Sequence, residues 1–381
     1  NMSTPILRTD DDRLKAFSGR GRTGLSNLGN TCFMNTILQC ICKAYDLTEY
    51  MLFGQEGYKD NLYKRDISKK RPKNELENIQ KHLVVCWEKL LFAMYDLNTV
   101  VGPRSIHKCI QALSIKMGRI EFVGHGQKDA EEFYGFLMEQ MHMGLSYNVR
   151  FTVSGKVKSK HDEMALEASK SWSRFFEKEY SEIVKLFYGQ EYSLITCPKC
   201  GFESGTYQPM NRVNIPIPDM GMSRDPVSLH DCLRLYTEGE TLDRENTWIC
   251  EGCKENVCAS KRLSIWKTPE NLVIHLKRFT KEGRKINTKV DFPLTGLSIM
   301  DYCIGYGVSS FEKYDLYAIA NHTGGMGGGH YYAYCRDYDN IWREYNDSNI
   351  TQLCSMEDGE ERLDSILKKN TAYMLFYRKR K

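Results

Sequence analysis

The chain has 381 residues, 41% of them hydrophobic, and 53 basic against 49 acidic side chains give a formal net charge of +4. It is long enough for one large domain or for two or three smaller ones, and its balanced charge singles out neither nucleic acid nor a membrane surface as a partner. No run reaches the length of an apolar membrane span and no apolar secretory core stands near the start, so the fourteen cysteines read as thiols, metal ligands or a nucleophile in cytosol or nucleus.

Residues 1–23 are polar and of mixed charge, which reads as a flexible N-terminal extension, with Asn1 ahead of Met2 as an expression-tag remnant. From Thr31 the apolar residues Phe33, Met34, Ile37, Leu38 and Ile41 fall at helical spacing. The runs ELENIQKHLVVCWEKLLFAMY, QKDAEEFYGFLMEQMHMGL and ASKSWSRFFEKEYSEIVKLF repeat that pattern, so the first half reads as mainly helical. The basic run KRDISKKRP between the first of these and α-helical sequence before it reads as a solvated surface loop in preference to a nuclear signal or nucleic-acid patch. Beyond GQEYSLITCPKCGFES the texture changes. ENLVIHLKRF, YDLYAIANH, HYYAYCRD, IWREYND and TAYMLFYRK are β-branched and aromatic with turn residues between them. Helices first and strands afterwards predict an α+β protein whose sheet is built late in the chain.

Cys32 stands where the first helical periodicity begins, behind an Asn-Thr pair suited to a helix start. Backbone N–H groups at a helix N-terminus favour a thiolate over a thiol. They can also face a developing oxyanion, and Asn27 adds a side-chain N–H donor five residues upstream on a glycine-containing turn. Taken alone, Cys32 reads more readily as a small buried hydrophobe, with the asparagines as turn residues. A nucleophilic thiol needs a base. His330 ends the string GGMGGGH and begins an aromatic strand, so a glycine loop delivers it where close backbone approach is possible. Asp347, at the end of WREYND, supplies a carboxylate that could orient the imidazole and fix its tautomer. Cysteine early, histidine late and a carboxylate after it is one chain order of a thiol-protease triad.

Two CxxC pairs, Cys197 with Cys200 and Cys250 with Cys253, each carry a glycine that allows a tight turn. Four thiolates on such turns make a closed tetrahedral zinc site of the structural type, with a redox disulfide as the rival. The absence of a thioredoxin-like βαβ pattern weakens that rival.

These motifs together resemble the ubiquitin-specific proteases, a family of deubiquitinating cysteine proteases. GLSNLGNTCFMNTILQ is similar to the family's cysteine box, GQKDAEEF to its acidic-glutamine box, and YDLYAIANHTGGMGGGHYYAYCR with WREYNDSNI to its histidine box. LVIHLKRF and AYMLFYRK are similar to its strands, and the likeness runs from Gly24 to about Arg378. The resemblance implies a papain-like hand over 24–378, with a helical thumb at about 24–150, zinc-bearing β fingers at about 190–262, and a β-rich palm at about 151–189 and 263–378. It implies that Cys32, His330 and Asp347 form the triad, that Asn27 is the oxyanion donor, and that Gln127 and Asp129 hold the extended tail of ubiquitin, with Asp129 available to pair with its arginine. It also implies one structural Zn2+ on Cys197, Cys200, Cys250 and Cys253 and action on ubiquitin and ubiquitinated proteins; the expected protein is a monomer with no nucleic-acid or membrane partner. Lys128 departs from the family, which often has glutamine there, and the extension and the basic stretch Lys69 to Lys73 have no motif counterpart.

Overall fold

The computed structural model describes residues 19–52, 74–218, 220, 225–280, 282–306, 312–325 and 328–380. Most of the N-terminal extension, the basic stretch at 69–73 and two residues of the glycine string, Met326 and Gly327, lie outside the described residues. The chain divides into two compact units: one runs to Gly144 and resumes over Tyr317–Ala372, and the other comprises Leu145–Leu316 with the C-terminal run from Tyr373.

The first unit opens with β1 (Gly24–Leu25) and the helices α1 (Cys32–Cys42), α2 (Tyr45–Leu52) and α3 (Glu75–Leu97). After β2 (Val100–Val101), which pairs in parallel with β1, come α4 (Arg104–Lys116) and α5 (Ala130–Leu145). Every residue of α1 is buried. A helix buried on every side has to be enclosed, and its polar side chains are bonded, Asn35 Nδ2 donating to Leu25 O and Gln39 Nε2 to Thr23 O. Phe33 meets Phe133 of α5 edge-on at 5.3 Å between ring centres. α3 starts where Asn74 Oδ1 accepts from Glu77 N and stops at Asn98, which takes the left-handed conformation at φ 45°. α5 begins at Ala130 because the Asp129 carboxylate accepts from the N–H groups of Glu131 and Glu132.

In the second unit α6 (Lys160–Phe176) and α7 (Glu182–Phe187) precede the strands β3 (Gly189–Thr196), β4 (Glu203–Met210), β5 (Val213–Pro216) and β6 (Val227–Ser228). Helix α8 (Leu229–Glu238) follows, then β7 (Glu240–Thr241), β8 (Trp248–Ile249), β9 (Asn256–Val257), β10 (Ser260–Lys267), β11 (Asn271–Lys277) and β12 (Val290–Asp291). Strands β4, β3, β10 and β7 lie side by side in that order, and β11 pairs with β5 in parallel. The sequence led us to expect one helix from about Ala168 to Phe187. The chain breaks it after Phe176, because the Ser181 hydroxyl accepts from Val184 N and starts α7 afresh. Helix α8 was hidden among strand-like segments; Ser228 and Asp231 form a reciprocal capping box that starts it, and Gly239 follows its last residue.

The chain then returns to the first unit through β13 (Tyr314–Gly325), β14 (Gly328–Arg336), β15 (Ile341–Asn346), β16 (Asn349–Ser355) and α9 (Glu360–Leu367), and closes on β17 (Ala372–Lys379), which pairs with β11. β13 to β16 form an antiparallel meander. Asp347 and Ser348 make the two-residue loop joining β15 to β16, with Asp347 at φ 49° as such tight hairpins require.

α1 packs on β14 and β15. Its far end is fixed by Lys43, which is 1% exposed and pairs with Asp337 at 2.7 Å. Asp337 also receives Arg343 at 2.6 Å and the Tyr345 hydroxyl at 2.8 Å. Burial alone would strip Lys43 of its proton, but the adjacent Asp337 carboxylate keeps it charged. A paired and hydrogen-bonded buried charge of this kind penalises any other placement of the helix, because each partner left alone would be desolvated without compensation.

Candidate active site and metal centre

The loop ahead of α1 is held by its own side chains. Asn27 Oδ1 accepts from Gly29 N at 2.9 Å and Thr31 N at 3.1 Å, and Thr31 Oγ1 accepts from Leu28 N at 2.9 Å. Gly29 and Asn30 take φ of 105° and 54°, in the left-handed region that these two residue types enter most readily. Thr31 therefore spends its hydroxyl on the loop and not on capping the helix.

Cys32 is the first residue of α1 and is 4% exposed. Burial pushes its thiol above the ordinary value of 9.0, against the N–H groups of Tyr331, Phe33 and Cys32 itself, which favour the thiolate; the Asp347 charge adds to the rise. The helix-terminal donors anticipated from the sequence are present, and desolvation outweighs them.

His330 meets Asn346, not Asp347: Nε2 donates to Asn346 Oδ1 at 2.7 Å. The expectation that Asp347 orients His330 is corrected here, and strand parity gives the reason. Tyr345 on β15 faces Ala333 on β14, so one step further Asn346 lies opposite Tyr332, on the same face as His330. Asp347 belongs to the turn, where its Oδ2 accepts from Asn27 Nδ2 at 2.9 Å and its Oδ1 from Asn35 Nδ2 at 2.8 Å. Its carbonyl accepts from Leu25 N at 2.8 Å. Because an amide oxygen can only accept, the His330 proton sits on Nε2 and Nδ1 is the basic nitrogen.

The remaining expected residues gather on the same strand. Gln127 Oε1 accepts from Gly329 N at 2.8 Å, and Asp129 Oδ2 accepts from the Tyr331 hydroxyl at 3.3 Å. Gly329 has no room for a side chain, since a Cβ there would collide with His322 Nε2 and Thr323 O. Three elements thus converge: the helix start with Cys32, the loop carrying Gln127 and Asp129, and the strand with Tyr331 and His330. Sequence reasoning missed Asn346, and it missed Asn35, whose position one turn into α1 lets it tie Asp347 to the helix. Counting alternate residues along WREYN would have found the first.

In the second unit Cys197, Cys200, Cys250 and Cys253 place their four sulfurs within 4.8 Å of one another. Cys197 Sγ lies 3.9 Å from Cys253 Sγ, and Cys200 Sγ lies 3.5 Å from Cys250 Sγ. A tetrahedral ion with sulfur ligands at about 2.3 Å needs sulfur–sulfur edges of about 3.8 Å, so the donor set fits such an ion. The two turns are built alike: Gly201 N donates to Cys197 O at 3.0 Å and Lys254 N to Cys250 O at 2.8 Å, with Gly201 and Lys254 at φ 72° and 61°. Burial opposes ionisation of Cys197, yet the N–H groups of Cys200 and Lys199 directed at its sulfur bring the thiol down to about 7. All fourteen cysteines are free thiols. Among the described residues no helix is long and apolar enough to cross a membrane.

Comparison with known proteins adds a family to this geometry. The family model described as "Ubiquitin carboxyl-terminal hydrolase" matches residues 23–377. Human ubiquitin carboxyl-terminal hydrolase 2 is 34% identical over 375 residues, which cover 96% of this chain and 56% of that protein. Mouse ubiquitin carboxyl-terminal hydrolase 21 is 32% identical over 380 residues, covering 94% of this chain and 62% of that protein. The chain therefore spans little more than half the length of these curated relatives. Among solved structures, a yeast SAGA DUB module superposes with a TM-score of 0.63 at 25% identity, over 95% of this chain and 69% of that one. A SAGA DUB module bound to monoubiquitin has a TM-score of 0.61 at 24% identity, over 95% and 70%, and supports the mixed α and β fold alone.

Proposed function

This chain belongs to the ubiquitin carboxyl-terminal hydrolase family, and we propose that it is a deubiquitinase that hydrolyses the isopeptide bond after the C-terminal glycine of ubiquitin. The observation that carries the reading is the pairing of His330 Nε2 with Asn346, which leaves Nδ1 as a base, on the residue next to the Tyr331 N–H that faces Cys32 Sγ.

Nδ1 of His330 takes the thiol proton as Cys32 Sγ attacks the glycine carbonyl carbon, which becomes tetrahedral with its charge on oxygen. Asn27 spends one Nδ2 hydrogen on Asp347. Its second hydrogen and the first-turn N–H groups of α1 are the donors for that oxyanion. Collapse of the intermediate breaks the C–N bond, and the imidazolium delivers the proton to the departing lysine amine. Water, deprotonated by His330, then adds to the thioester, releasing the ubiquitin carboxylate and returning the thiol. Asn346 orients the imidazole, while Asp347 is a positioning residue that locks Asn27 to Asn35. Burial raises the Cys32 thiol above its ordinary value, which favours passing the proton to His330 in step with attack over a preformed thiolate.

Gln127 and Asp129 are proposed to hold the extended tail of ubiquitin, one end of each side chain being braced by β14. Zn2+ is proposed on Cys197, Cys200, Cys250 and Cys253, where it would supply cross-linking of two turns and no chemistry. We assign the thumb to about 24–150, the fingers to about 190–262 and the palm to about 151–189 and 263–378, and place a monomeric protein in cytosol or nucleus. Release of a fluorescent reporter from the C-terminus of ubiquitin tests the activity. Turnover by the wild type and none by Cys32→Ala is the expected result; equal turnover by both would remove Cys32 from the reaction.

A further inference from the structure

A second sulfur-rich cluster lies in the first unit, outside the residues used above. His82 and Cys86 stand one turn apart on α3, and Cys109 faces them from α4. Residues at i and i+4 share a helix face, so the spacing of His82 and Cys86 suits two ligands of one ion. Cys86 Sγ lies 3.5 Å from His82 Nε2 and 3.8 Å from Cys109 Sγ, and all three atoms fall within 4.8 Å of one another. A tetrahedral ion at about 2.3 Å from sulfur and about 2.0 Å from nitrogen demands edges of about 3.8 Å between sulfurs and about 3.5 Å between sulfur and nitrogen. The sulfur spacing also matches that of the four-cysteine group in the second unit, 3.5 and 3.9 Å.

We propose that His82, Cys86 and Cys109 form a second metal site, taking one zinc-class divalent ion with a fourth, solvent-facing position. The softness of two sulfurs and one imidazole selects zinc or cobalt over magnesium and calcium, which want oxygen. Both cysteines are buried and His82 is exposed, so the ion enters from the histidine side and water completes the tetrahedron. Binding converts both thiols to thiolates and releases two protons to solvent. A hydrogen-bonded chain from Cys109 through Cys86 to His82 accounts for two of the contacts without an ion, and the experiment below separates the two readings.

The site would act as a clip. α3 and α4 flank β2, and β2 pairs with β1, the strand that leads into Asn27 and Cys32. Tying Cys86 to Cys109 joins the two helices across that connection, independently of the four-cysteine group.

The test is equilibrium dialysis of the reduced, full-length protein against Zn2+ alone, with metal and protein quantified together, for wild type, His82→Ala and Cys109→Ser. His82 is exposed, so its replacement leaves packing intact, and circular dichroism checks that each variant is folded. The wild type should hold one more equivalent than either variant, and Zn2+ should raise its melting temperature more than theirs. A wild type holding the same number of ions as His82→Ala overturns the site. The difference between proteins, and not the total, is the readout, so failure of the four-cysteine site would lower all three totals and leave this result distinguishable. Co2+ in place of Zn2+ should give the absorption of tetrahedral thiolate-bound cobalt, and that signal should weaken at least tenfold in apparent affinity in Cys109→Ser.

Discussion

Cys32 and Cys197 are both buried thiols with backbone N–H groups directed at the sulfur, and their protons are held in opposite senses. At Cys32 burial wins over the donors of Tyr331, Phe33 and its own amide, and the nearby Asp347 charge reinforces it. At Cys197 the donors of Cys200 and Lys199, together with the neighbouring thiols Cys200 and Cys250, win over burial and bring the value to about 7. Within the same group the Phe202 N–H fails to hold Cys200 down, and burial with the neighbouring thiols pushes it up to about 11. The turns therefore favour an anion at Cys197 and not at every sulfur, whereas at the start of the buried helix burial outweighs the donors. The Cys197 environment eases loss of the proton to a bound ion, and that of Cys32 suits a thiol that gives its proton to a base at the moment of attack.

The largest expected effect breaks the comparison at the metal end. Cys250→Ser should lose the ion and several kcal/mol of folding free energy, because binding at a closed cysteine site is folding free energy. Cys32→Ser should leave stability within about 1 kcal/mol while abolishing turnover. Melting curves and metal analysis of the two variants check this pair, and equal destabilisation would contradict the division of labour. Next comes the imidazole: Asn346→Ala should reduce kcat/KM roughly 100-fold, since an unoriented base loses most of the general-base contribution. Asp347→Asn should reduce it only about tenfold, because Asn27 and Asn35 lose a charged acceptor but His330 keeps its partner. The reverse order in the kinetics would restore Asp347 as orienter. The smallest effect concerns the thiol itself. Alkylation of Cys32 by iodoacetamide should rise with pH and reach half its maximum above 9.0, and Asp347→Asn should move that midpoint down by removing a repelling charge. A wild-type midpoint below 9.0 would contradict the burial argument.

Much of this was legible in the sequence, for reasons particular to each stretch. The apolar spacing after Thr31 gave α1 its start at Cys32, and the paired CxxC turns gave the four-cysteine group, because both signals are local. A carboxylate is the more obvious partner for an imidazole than an amide, so the sequence points to Asp347, and only the pairing of β14 with β15 puts Asn346 on the face of His330. Asp347 acts through Asn35, a contact between residues far apart in sequence that no short-range pattern contains. Ser181 hid the break between α6 and α7 inside a run of continuous helical periodicity, and the capping box of α8 stood among strand-like neighbours. The cluster of His82, Cys86 and Cys109 was invisible for the same reason as Asn35: two helices had to be packed before their sulfurs could meet.

The most direct measurement uses ubiquitin carrying a thiol-reactive electrophile in place of its C-terminal carboxylate, followed by mass-spectrometric mapping of the adduct. Fourteen thiols compete for the probe. Modification at Cys32 alone, lost in Cys32→Ala and slowed in Asn346→Ala, is the predicted result. Labelling of any other cysteine in preference to Cys32, or labelling by a scrambled-tail probe at the same rate, would contradict the assignment of Cys32 as the nucleophile that receives the tail of ubiquitin.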